Sequence, residues 1–170
     1  AMILQLARHA GNLEALVQNE SLMGALSRVL KEDYKRSTDL VINIMYVFFS
    51  FSNFSQMHPF LLNYGVGNMT MKVMDLEVKR HALRMKEMQE LAADAEAQER
   101  GEEPIESRDR NERKRDGRID MEREKQKTKH LMRKQEKLLF VCMHVLINLA
   151  EDVQIERKMV KRKLSKYLIA

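Results

Sequence analysis

The apolar positions of this chain fall in clusters of similar layout. The longest is LVINIMYVFFSFSNFS, Leu40 to Ser55, which carries Phe48, Phe49, Phe51 and Phe54. Crossing a bilayer takes about 20 predominantly apolar residues. Here the unbroken character lasts roughly a dozen, and Asn43 and Ser50 interrupt it. A strand usually runs about 4–8 residues. A helix that is apolar nearly all round is a buried one. The run therefore predicts a core helix over Thr38–Ser52, with the Ser37 hydroxyl as its N-cap.

The pattern recurs. ILQLARHAGNLEALVQNE from Ile3, FFSFSNFSQMHPFLLNYG from Phe48 and LINLAEDVQIERKMVKRK from Leu146 align without gaps. The last two extend backwards, LVINIMYVFFSFS lying over LLFVCMHVLINLA. One unit reads as a short helix (Leu13–Asn19), a second helix (Leu22–Asp33) and a long third helix (Thr38–Ser52). Such a unit, with a period of about 40–47 residues, is the armadillo/HEAT signature. Gly65 and Gly67 mark the turn between the short and second helices of the next unit. Asn12 and Asp152 are expected to cap short helices. The fold class expected is all-α, an armadillo-type helical-repeat solenoid segment. Neither end has the polar face of a terminal capping repeat, so the chain is expected to be part of a longer array.

The third copy lies too far from the second, and composition locates the excess. The expected organisation is armadillo repeats over 1–78, a charged insertion over 79–134, and continuing repeats over 135–170. The insertion falls between a second and a third helix. From Glu87 to Glu106 it is acidic, with Arg100 its only base; from Ser107 to Lys137 bases predominate. Leu76, Leu83, Met88 and Leu91 keep helical spacing, and Ile119, Met121, Leu131 and Leu138 do so more weakly. Helices are expected to continue from both roots as a hairpin, broken at RGEEPIES, where Pro104 lacks an amide donor. The tip is expected to be disordered.

Charge and chemistry narrow the function. The net charge is +5. RNERKRDGR would suit phosphates, but no aromatic stacking platform or DNA-binding motif accompanies it. Alternating charge on a solvated helix accounts for it, and nucleic acid is not the expected partner. The single cysteine, Cys142, has no disulfide partner within the chain and fits a reducing compartment. It lies two residues from His144, a spacing that does not share a helix face. Catalytic, cofactor-binding and metal residues are all expected to be none, with no small-molecule substrate. What remains is a surface. On the third helices, Asn43, Tyr46, Ser50 and Asn53 form one polar stripe, and His144, Asn148 and Glu151 form the equivalent stripe in the next unit. This stripe is the expected partner-binding groove, although Asn148 is equally suited to hydrogen-bonding a neighbouring helix.

The segments ILQLAR, NLEALVQNESLMGALSRVLKEDYKRS, NIMYVFFSFSNFSQMH and VLINLAEDVQIERKMV resemble the kinesin-associated proteins. The likeness covers essentially the whole chain, including a charged insert between MDLEVKRH and RKQEKLL. It implies the non-enzymatic armadillo-repeat accessory subunit of heterotrimeric kinesin-II. Its partners are then the kinesin-II motor subunit tails and cargo proteins, including intraflagellar transport material. Its place is then cytoplasmic, cytoskeleton-associated and in the cilium or flagellum. Two other readings compete. One is a general armadillo interaction scaffold not tied to a motor, against which the absence of Trp counts. The other is binding of microtubules or another acidic partner through the insert.

Overall fold

The structure, a computed structural model, describes residues 2–100 and 108–163. Among these every regular element is helical. They are α1 (Met2–Leu6), α2 (Ala10–Gln18), α3 (Glu20–Asp33), α4 (Thr38–Ser52), a 3₁₀ turn (Ser55–Met57), α5 (His58–Asn63), α6 (Val66–Arg100), α7 (Arg108–Leu149) and α8 (Val153–Lys161). The fold is all-α and built of helical repeats. The short helices Ala10–Gln18 and Val153–Lys161 and the paired turn and helix Ser55–Asn63 occupy equivalent places in the gapless alignment. The described residues form two compact units, one of residues 2–77 with 136–163 and one within residues 78–135.

In the first unit, α4 has the predicted bounds. Ser37 Oγ accepts from the Leu40 amide at 3.3 Å, satisfying one of the donors that a helix start leaves open. The helix ends at Asn53, and the following segment Ser55–Asn63 turns away by 116°. Phe48 and Phe51 are fully buried, as are Met45 and, on neighbouring elements, Leu61, Met71 and Leu146. Each such side chain contributes about 1.5–3 kcal/mol by leaving water. Among the described residues no single helix is long and apolar enough to cross a membrane.

Helix starts are only partly where the sequence puts them. Asp152 caps α8, its Oδ1 accepting from the amides of Gln154 and Ile155. Asn12 caps nothing. It lies inside α2, and its amide donates back to the Leu6 carbonyl at 3.2 Å, closing the end of α1 instead. The residue before α2 is His9, which makes no side-chain cap, so the short helix begins at Ala10 rather than Leu13. Asn19 was expected as the last residue of that helix; it instead caps α3 through the Leu22 amide at 2.9 Å.

The two glycines separate in role. Gly65 has φ +70 and makes the α5–α6 turn, a conformation that side chains disfavour. Gly67 is not in the turn but inside α6, where it admits Ile155 of α8 so closely that a Cβ would sit 2.6 Å from Ile155 Cδ1. Neighbouring repeats are tied by Ser27 Oγ donating to the Tyr64 carbonyl at 3.0 Å and by Arg162 pairing with Asp75 at 2.8 Å.

In the second unit, α6 and α7 run without interruption out of the repeat helices. The break at 101–107 and the side chains of Leu91, Ile119 and Met121 lie outside the described residues. The expected apolar seam is buried only in part: Leu76 and Met88 are half-buried and Leu138 is buried. Leu83 and Leu131 are exposed, 61% and 43%. The half-buried stripes are His81, Arg84 and Met88 on α6, and Lys125, Thr128 and Met132 on α7. Spacing of three and four holds for both, and each stripe combines one methionine with two polar side chains, of which Arg84 and Lys125 have long alkyl stems.

Candidate functional site

The third helices α4 and α7 carry five of the seven residues of the expected stripe, and Asn53 and Glu151 lie just past their ends, all within the first unit. Asn43, Tyr46 and Ser50 are half-buried on α4, and Asn53 is exposed at its C-cap. Ser50 Oγ donates to the Tyr46 carbonyl at 3.1 Å, so its hydroxyl turns back onto its own helix. On α7, His144 and Asn148 are half-buried, and Glu151 lies just past the helix end with a 76% exposed side chain.

The structure brings some of these together and not others. The Asn148 Nδ2 donates to Ser52 Oγ and to Asn53 Oδ1, both at 3.0 Å. This is the hydrogen-bond role to a neighbouring helix that the sequence left open for Asn148. His144 Nδ1 donates to the Phe140 carbonyl at 2.9 Å. Glu151 Oε2 lies 3.9 Å from His58 Nδ1, while His58 Nε2 donates to the Ser52 carbonyl at 2.8 Å.

Three residues absent from the sequence prediction shape the surface more than the polar stripe does. His144 stacks at 4.1 Å on Phe140 and meets Phe49 edge-on, centroids 5.9 Å apart at 89°. Phe140 and Ile147 are 61% and 49% exposed. They lie on either side of His144 at helical spacing, so one face of α7 presents two large apolar side chains to water. The repeat alignment contains the signal: Phe140, His144 and Ile147 lie over Ile42, Tyr46 and Phe49. On α4 those equivalents are partly buried against the core; on α7 the same face is open.

Burial raises the Cys142 thiol far above its ordinary range, with the nearby Glu77 carboxylate adding to the effect. A thiol held protonated in the core is a packing group. Among the described residues no group of three or more His, Cys, Asp or Glu is placed to hold a metal ion. The face on α4 and α7 offers apolar area, the rings of Tyr46, Phe49, Phe140 and His144, and a few directional polar atoms.

The family model for kinesin-associated protein (KAP) matches residues 1–170. The chain belongs to the kinesin-associated protein family. The match spans the charged segment as well as the repeats. Members of the kinesin-associated protein family are accessory proteins of kinesin rather than known enzymes. No solved structure matches the chain.

Proposed function

We propose that this chain is part of the non-enzymatic accessory subunit of heterotrimeric kinesin-II, an armadillo array that binds the tails of the motor subunits and links them to cargo. The observation that carries this reading is the family match over the whole chain. The cargo would include intraflagellar transport material, placing the protein in the cytoplasm, on the cytoskeleton and in the cilium. The binding face would be the α4–α7 stripe: Asn43, Tyr46, Ser50, Asn53, His144, Asn148 and Glu151, with Phe140 and Ile147 as its apolar anchors.

Exposed apolar side chains at helical spacing suit an interface, and the partly buried α4 equivalents Ile42, Tyr46 and Phe49 mean that in a longer array a further repeat would compete for the same face. Interfaces take most of their affinity from a few such residues, with surrounding polar groups fixing orientation. Affinity purification of the tagged full-length protein from ciliated cells, followed by mass spectrometry, tests the reading. Recovery of both motor subunits at near-equal amounts is expected. Recovery of other partners with neither motor subunit would replace it with the scaffold reading.

A further inference from the structure

The short helices α2, α5 and α8 hold equivalent places in the three copies of the repeat, so their outer sides compare position by position. Ala10, Glu14, Ala15 and Gln18 of the first copy are exposed. So are Ser55, Pro59, Phe60 and Asn63 at the same positions of the second. Both copies have a following repeat, so this is a side that stacking leaves open to water. The third copy places Val153, Arg157, Lys158 and Lys161 there, all exposed.

The change of charge on that side is specific to α8. Basic side chains near a helix C-terminus suit its dipole, but α2 and α5 end without any. Arg157 and Lys161 stand one turn apart, a spacing at which like charges repel. Among the described residues neither they nor Lys158 is ion-paired, whereas Arg162 is held by Asp75 at 2.8 Å. Glu156, the only acid of α8, takes the position of Leu13 and His58 and so lies off this side.

The surface also has an apolar part. Glu151, just before α8, lies 3.9 Å from His58 at the start of α5, and Ile155 of α8 packs on Gly67, just past α5. These contacts seat α8 beside α5. Phe60 of α5, at the position of Lys158, is 36% exposed, and Val153 is 51% exposed. Equivalent positions of neighbouring repeats open to the same side, so one outer surface combines three cations with two apolar side chains.

We propose that this outer surface docks an acidic segment of a partner protein, with carboxylates on Arg157, Lys158 and Lys161 and apolar side chains on Phe60 and Val153. Opposite charge selects the segment, and the apolar pair gives it a place to seat. The nine residues of α8 span about 14 Å at 1.5 Å per residue, the reach of two or three helical turns rather than of a nucleic-acid track. A bilayer takes a broad apolar face, and here Ile155 is turned into the core.

The test is fluorescence anisotropy of the whole chain with a fluorescein-labelled helical peptide bearing Glu on one face and Leu on the other. Saturable binding is expected, weakened about tenfold or more by Arg157→Glu with Lys161→Glu and by Phe60→Ser. Lys79→Glu with Lys129→Glu makes the same charge change at exposed positions of the second unit and is expected to weaken it less than about twofold. Thermal melts check each fold; should the reversal unfold α8, Arg157→Gln with Lys161→Gln is expected to weaken binding about threefold or more. No saturable binding by the wild type would overturn the proposal. Equal losses from the two charge reversals, or an unaffected Phe60 variant, would overturn it in favour of non-specific attraction. Tighter binding to equimolar phosphatidylcholine–phosphatidylserine vesicles or to single-stranded DNA would overturn it in favour of those partners. Self-association without peptide binding would overturn it in favour of a second copy. The motor-tail stripe uses other residues, so motor binding is expected to survive all these variants.

Discussion

The Asn148 side-chain amide of α7 donates to both Ser52 Oγ and Asn53 Oδ1 at the end of α4, each at 3.0 Å. Ser52 is buried and its hydroxyl is itself committed to the Phe49 carbonyl at 2.9 Å, so Asn148 is the donor that fills its remaining acceptor site. One side chain thus fixes two third helices against each other. Asn148→Ala is expected to cost about 1 kcal/mol, the usual net value of such bonds. Asn148→Asp is expected to cost more, because a carboxylate brings no donor to two facing oxygens. Urea denaturation of the three proteins measures both. Equal stability of the Asp variant and the wild type would show that the bridge is dispensable.

The glycines predict opposite signs. Gly24 sits inside α3 with open space around it, so Gly24→Ala is expected to stabilise by up to about 1 kcal/mol through helix propensity. Gly65→Ala is expected to destabilise by about 1–2 kcal/mol, since φ +70 is strained for a side chain. Gly67→Ala is expected to destabilise by pushing Ile155 off α6, and adding Ile155→Val, which removes Cδ1, is expected to recover most of the loss. Thermal melts of the four variants decide each sign.

The fold was readable because the hydrophobic period and the third-helix cap agree: Ser37 stops the chain before a run that only burial explains, and both bounds of α4 follow. Caps at the short helices were less readable because Asn serves a start and an end equally well. Asn12 and Asn19 exchange the roles their positions suggest. The candidate face was harder still. Polar residues on an apolar helix stand out in a sequence, so Asn43, Asn53 and Asn148 drew attention. Phe140 and Ile147 look like core until the structure shows their face open. Leu83 and Leu131 are exposed although Leu76, Met88 and Leu138 of the same apolar spacing are buried or half-buried, because the half-buried side of α6 runs through His81, Arg84 and Met88 and that of α7 through Lys125, Thr128 and Met132.

Cys142 makes stability depend on pH at the alkaline end. Its folded-state pKa is raised, first by burial and then by Glu77. The unfolded thiol ionises near about 8.5. Above that pH the unfolded chain has lost a proton that the folded chain keeps, so the unfolded state binds fewer protons and stability falls as pH rises. Below it the contribution is fully present. The expected slope approaches about 1.4 kcal/mol per pH unit between roughly pH 9 and 10. Cys142→Ala is expected to flatten that slope relative to wild type, whatever its effect on stability near neutrality. Denaturation midpoints of both proteins across this window test it, and parallel curves would contradict the assignment. Reaction with an aromatic disulfide reagent is expected only after unfolding.

The central claim is that the α4–α7 stripe, with Phe140 and Ile147 as its anchors, receives the motor tails. Phe140→Asp with Ile147→Ser removes its two anchors at positions already in water, so the fold is expected to persist by circular dichroism. Isothermal titration of the motor tail heterodimer into the full-length protein and this variant is the direct measurement. Affinity reduced about tenfold or more is predicted, the scale at which an interface loses its anchors. Unchanged affinity with an intact fold would contradict the account and place the motor contact elsewhere.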